Sequence, residues 1–146
     1  MNMGHLHLML NHLPVLAAPA LLALLAYGLG RRLPEVTRLA LWCTAALGVV
    51  TLLVYLTGEA AEEMIEALPT FDDDLVERHE GVAFWATTLL VGSAGLAGWA
   101  LWSWRRQGAQ PRTATRLVLA GLVIGTLVTM VTAWTGGPIG HPEIRP

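Results

Sequence analysis

Four apolar windows constrain this chain more than any motif in it. They run from Leu13 to Leu29 with an extension back toward Leu6, then Leu39 to Thr57, Val82 to Trp104 and Leu117 to Thr135. At about 1.5 Å of helix rise per residue, each window is long enough to cross a hydrocarbon core about 30 Å thick. A backbone in lipid must satisfy its own amides and carbonyls, and windows of this length do so as helices. The expected fold is therefore all-α, an integral membrane four-helix bundle running up-down-up-down. One domain fills residues 1–146, with spans at about 6–29, 39–57, 82–104 and 117–135 and an extramembrane helical connection at 58–80. Composition agrees, because 54% hydrophobic residues, 14% charged and a mean hydropathy of +0.53 lie outside what a soluble domain uses.

Charge gives the bundle a direction. The connection GRRLPEVTR carries Arg31, Arg32 and Arg38, and RRQGAQPRTATR carries Arg105, Arg106, Arg112 and Arg116. Short arginine-rich connections stay on the cytoplasmic side, so both termini and the Gly58 to Glu80 connection are expected outside. Ten of the eleven acidic residues and all five histidines, His5, His7, His12, His79 and His141, fall on that outer side. Tyr55, Trp85 and Trp134 at outer ends and Tyr27, Trp42, Trp99, Trp102 and Trp104 at inner ends form the aromatic belts expected at two interfaces. The opening MNMGHLHLML has no basic region and no small-residue cleavage site, and reads as part of the mature chain.

Several function classes drop out here. The net charge is −2 and the basic residues are all Arg in short loops, so the bilayer is an expected partner and nucleic acid is not. The single Cys43 forms no disulfide within the chain, and the absence of CxxCH excludes c-type haem attachment. No phosphate loop, nucleotide fingerprint or nucleophile with a base is present, which argues against a hydrolase or NTPase. A subunit or electron-transfer role fits better than a stand-alone enzyme.

The outer connection carries the next signal. GEAAEEMIEAL continues the helical pattern of the second span to Pro69, with Glu59, Glu62 or Glu63, and Glu66 on one face. PTFDDD reads as a turn with an Asp cap. In the helix that follows, His79 shares a stripe with Leu75, Val76, Val82, Ala83 and Ala86 and points into the bundle. In HLHLMLNHLP, His5 and His12 are seven residues apart on nearly one face, with His7 rotated away. Pro14 cannot donate to Leu10, so an irregularity or a helix start with Asn11 as cap is expected there. His12 then lies about 25 Å from the inner end of its span, at a depth similar to His79. His5 and His7 read as interfacial anchors.

Gly92, Ser93, Gly95 and Gly98 make one face of the third span small, and Gly121 with Gly125 gives the fourth a GxxxG step for close helix contact or a flat ligand. After the fourth span, TGGPIGHPEI is expected to fold back at Gly136, Gly137 and Pro138 and to bring His141 and Glu143 to the same face.

Spans one and three are diagonal in such a bundle, so His12 and His79 can face each other. Two imidazoles so placed suit the axial ligation of haem b, with His141 and Asn11 as further cofactor contacts. The expected function is a b-type cytochrome-like protein passing electrons to a quinone or a periplasmic redox protein. A second reading is a haem-free transition-metal site from His12, His79 and His141 with Glu59, Glu63 or Glu80. A third is a cofactor-free assembly subunit of a homo-oligomer or larger membrane complex.

The segments HLHLMLNHLP, TGEAAEEMIE, ERHEG and TGGPIGHPEI, in this order at the ends of four spans, resemble an uncharacterised family of small bacterial four-helix membrane proteins. Related four-helix domains are sometimes joined to Rieske iron–sulfur modules. The family's motif positions correspond to Asn11, His12, Pro14, Glu59, Glu63, Glu77, His79, Glu80, Gly137, His141, Pro142 and Glu143. The resemblance implies a bacterial cytoplasmic membrane, and association with Rieske modules implies electron transfer within it. No Cys-His pair for a cluster is present, so a partner would supply one.

Overall fold

The structure, a computed structural model, describes residues 3–145. Its elements are α1 (Met3–Leu10), α2 (His12–Gly30), α3 (Pro34–Leu56), α4 (Gly58–Ile65), α5 (Asp73–Gln107) and α6 (Arg112–Gly140), followed by a 3-10 turn at Pro142–Ile144. Four stretches, Met3–Gly30, Pro34–Ile65, Asp73–Gln107 and Arg112–Gly140, are long and apolar enough to cross a membrane. The chain is thus all-helical among the described residues and has the makings of a multi-pass membrane protein.

The long helices close a ring. α5 packs against α3 and α6, and α2 packs against the same two, so α2 stands across from α5 and α3 across from α6. Ala18, Leu25, Ala40, Leu41, Leu90, Ala97, Val118 and Leu122 fill the centre. The buried polar side chains among the described residues are all hydroxyls, from Thr37, Thr44 and Thr51 on α3 to Thr115, Thr126 and Thr129 on α6. Most bond back to their own helix, as Thr44 does to the Ala40 carbonyl at 2.8 Å and Thr51 to Leu47 at 2.8 Å. Small hydroxyl residues let helices approach closely without stranding a polar group in an apolar medium. Leu16, Leu53, Trp85, Leu127 and Trp134 point outward, a surface suited to lipid and too apolar for water.

Local chemistry explains the joints. The Leu33 amide bonds the Gly28 carbonyl at 2.8 Å and the Arg32 amide bonds Leu29 at 3.2 Å, a Schellman closure of α2 with Arg32 in the left-handed region at φ 55°. Pro34 opens α3, where its missing amide hydrogen costs nothing. Asp72 caps α5 by accepting the Leu75 amide at 3.3 Å, as the sequence predicts. Gly108 at φ 69° stops α5.

Three expectations need correction. The helix after Gly58 ends at Ile65 rather than Pro69, and turns fill the interval. α6 does not fold back at Gly136, Gly137 and Pro138, but stays helical to Gly140 and turns at His141. Pro138 there leaves only one carbonyl, that of Trp134, without its helical donor. Gly92, Gly95 and Gly98 face away from the bundle with nothing within 4 Å of a Cβ built on them, and Ser93 and Ala97 are the buried residues between them. Gly121 and Gly125 do serve close contact, against Ser93 and Leu90 of α5.

Candidate functional site

The helical register of the first span decides which histidine turns inward. The Asn11 amide still bonds the His7 carbonyl at 2.9 Å, so α1 runs into α2 almost without a change of phase. Gly4, His7, Asn11, Pro14 and Ala18 then share the inner face, the first and last two buried and His7 and Asn11 half-buried. His12 shares the opposite face with Leu13 and is exposed. The expectation that His12 points into the bundle is therefore corrected, and His7 takes that place. The signal was present in the spacing, since His7 precedes Asn11 by four residues and Pro14 by seven.

His7 is anchored to the end of α3. Its Nδ1 lies 2.9 Å from the Val54 carbonyl, so that nitrogen carries a proton and donates, and the Thr57 hydroxyl sits 3.4 Å away. The same Thr57 hydroxyl donates to the Val54 carbonyl at 2.9 Å. His79, near the start of α5, is held in the same manner by α6. Its Nδ1 donates to the Thr132 carbonyl at 3.1 Å and lies 3.3 Å from the Thr135 hydroxyl, which itself donates to Thr132 at 3.0 Å. Anchoring through Nδ1 turns Nε2 away from the carbonyl, the arrangement that orients metal-ligating histidines.

Glycines make the imidazoles fit. A Cβ on Gly136 would lie 2.8 Å from Cε1 of His79, and one on Gly58 would lie 3.9 Å from Cε1 of His7. On α4, partial burial and then the neighbouring Glu80 carboxyl of α5 hold the Glu62 carboxyl above its ordinary range. α1 rests on α4 at Gly4, where a Cβ would meet the Ala60 carbonyl at 2.6 Å.

The remaining candidates are not drawn together. Glu59 and Glu63 are exposed on α4, and Glu80 is exposed beside His79. His141 is exposed and pairs with Glu143 at 3.0 Å. The Glu143 carboxyl is held below its ordinary range by its own backbone amide and by the His141 ring. Arg145 ties the tail down instead, donating to the Pro138 carbonyl at 3.0 Å and to Thr70 at 2.8 Å. The Asn11 side-chain oxygen is buried and has no hydrogen-bond donor. Comparison with protein families, curated proteins and solved structures finds no match for this chain. The site must be judged on its own geometry. Among the described residues no three His, Cys, Asp or Glu side chains are arranged to hold a metal ion.

Proposed function

We propose that the chain is a membrane-embedded electron-transfer protein of the b-type cytochrome class, holding haem at the histidine-bearing end of its bundle. The observation that carries this is the pair of inward imidazoles, each with Nδ1–H fixed on a helix-end carbonyl and Nε2 left free. Two protein nitrogens are what a haem iron needs, because the porphyrin supplies the other four. A bare transition-metal ion asks for three or four protein donors, and the His12, His79, His141 and glutamate set is not gathered to give them. The residues present thus fit a haem better than a lone ion.

When bound, haem supplies a one-electron couple. The chain's own groups do the rest: Val54, Thr57, Thr132 and Thr135 orient the imidazoles and raise their basicity through Nδ1, and the surrounding apolar helices limit water. The arginine-rich connections favour the opposite end as cytoplasmic, with an up-down-up-down path and both termini outside. That places the imidazoles on the outer side of a bacterial cytoplasmic membrane, within reach of a quinone or a periplasmic redox protein.

The test is a reduced-minus-oxidised absorption spectrum of protein purified from haem-supplied cells, with metal analysis on the same sample. A Soret band with a reduced α band is expected. A colourless protein with a stoichiometric transition metal would establish the metal reading instead, and neither pigment nor metal would leave an assembly subunit.

A further inference from the structure

We infer that the chain is a duplicated helical hairpin, and that His7 and His79 are equivalent residues of its two repeats, the two imidazoles that would hold one haem between them. The identity of the ligand rests on the electron-transfer reading above; the equivalence of the two residues does not.

The second helix of each hairpin shows the repeat in sequence. Thr37-Arg38-Leu39 recurs 78 residues later as Thr115-Arg116-Leu117, Thr51 as Thr129, and Thr57-Gly58 as Thr135-Gly136. Side-chain bonds recur at the same interval. Thr37 donates to Leu33 and Thr115 to Pro111, each at 3.0 Å, and Thr51 donates to Leu47 at 2.8 Å as Thr129 does to Gly125 at 2.7 Å. The first helices align at a shift of 72, where Gly4 meets Val76, Pro14 meets Ala86, Ala18 meets Leu90, Leu25 meets Ala97 and Gly28 meets Ala100, all ten buried. Any two bundle helices can be slid until their buried faces agree, so this last match alone decides little. What periodicity cannot produce is the shared hydrogen-bond unit. In both hairpins an imidazole from the first helix donates to a carbonyl near the outer end of the second, a threonine three residues on returns to that carbonyl, and the next residue is the glycine beside the ring.

Ring order agrees with a two-fold relation. Exchanging α2 with α5 and α3 with α6 maps the contacts α2–α3 onto α5–α6 and α3–α5 onto α6–α2. Parallel repeats related about the membrane normal bind their ligands at the repeat interface. His7 and His79 are the imidazoles that such an axis exchanges. At the same shift His12 corresponds to Phe84, and both are exposed.

The full chain in detergent, titrated with haemin, tests this. One haem per chain in a six-coordinate low-spin state is expected, read by electron paramagnetic resonance and absorption. His7→Gly and His79→Gly are each expected to lose that state and regain it with added imidazole, which also shows that the variants fold. His12→Gly is expected to keep it. Wild-type protein that takes no haemin would overturn the electron-transfer reading and the ligand assignment together. Low-spin haem that survives His7→Gly but not His12→Gly would overturn the inference alone. Nitrogen-15 spectra of the cofactor-free protein give an independent check, with Nδ1–H expected on both His7 and His79; an Nε2–H form on either ring would break their equivalence.

Discussion

The two hairpins bury the same faces and differ at their histidine-bearing ends. In the first, the entering helix is interrupted at Asn11, and α3 stops at Leu56 before redirecting into α4 with Glu59, Glu62 and Glu63. In the second, α5 and α6 run 35 and 29 residues without a break. The imidazole unit survives this difference, whereas the carboxylates of α4 have no counterpart after α6. Anchoring of the rings therefore belongs to the common plan, and the acidic rim is an addition to one side. The contacts between hairpins are also unequal. Gly48 lets α3 close on Ala94 of α5, but the equivalent position 78 residues on is Thr126, where α6 packs more loosely against α2.

That inequality gives the largest expected effect. An alanine at Gly48 would put its Cβ on the Cβ of Ala94, and neither has a flexible end to move. Gly48→Ala is expected to cost about 1–3 kcal/mol in unfolding from mixed micelles, since helices must separate to admit it. Gly95→Ala, with nothing within 4 Å of its Cβ, is expected to be neutral or to gain up to about 1 kcal/mol from helix propensity. Equal stability of the two variants would show that α3 and α5 are not in close contact.

Next comes the pair of glycines beside the rings. Gly136→Ala places a methyl group 2.8 Å from Cε1 of His79, so the ring must leave its bonds to Thr132 and Thr135. The expected loss is about 1–2 kcal/mol, with a changed His79 imidazole resonance. Gly58→Ala meets His7 at 3.9 Å, ordinary contact, and is expected to shift stability by no more than about 0.5 kcal/mol. A similar response at both sites would mean that the second ring is no more tightly seated than the first.

The architecture was legible because lipid imposes it: uninterrupted apolar length dictated four helices, and Asp72 announced its own cap. The inward direction of His79 was legible for the same reason, from Val76, Ala86 and their periodicity. His12 misled because Pro14 suggested a fresh helix start, and a new start resets the phase that a continuous helix keeps. Pro14 instead lies in the first turn of α2, where a missing amide hydrogen is tolerated, and Asn11 still bonds back to His7. The outward turn of Gly92, Gly95 and Gly98 was hidden because small residues mark close packing only when a neighbour stands there. Ser93, one residue along, occupies the face that does. The paired Thr-Gly steps were visible at their 78-residue interval, but their meaning needed the hydrogen bonds.

Removing the two threonine hydroxyls tests equivalence more gently. Thr57→Val deletes a hydroxyl shared between the Leu53 and Val54 carbonyls, Thr135→Val one bonded to Thr132, and each removes a polar neighbour of an imidazole. Each is expected to cost about 0.5–1 kcal/mol, with similar displacements of the His7 and His79 resonances. Strongly unequal effects on the two rings would break the correspondence of the repeats.

The smallest expected effect has the sharpest sign. Thr129 donates to Gly125 at 2.7 Å, while the hydroxyl of Thr126, one turn away on the same helix, is buried with no partner. Thr129→Val removes a made bond, but the Gly125 carbonyl keeps its backbone donor, so a loss of about 0.5 kcal/mol is expected. Thr126→Val replaces an unpaired buried hydroxyl with a methyl group of nearly the same shape, and relieves a desolvation penalty with no bond to lose. Its stability is expected to hold or rise by up to about 1 kcal/mol, opposite in sign to Thr129→Val. If Thr126→Val is the more damaging change, its hydroxyl has a partner in the membrane.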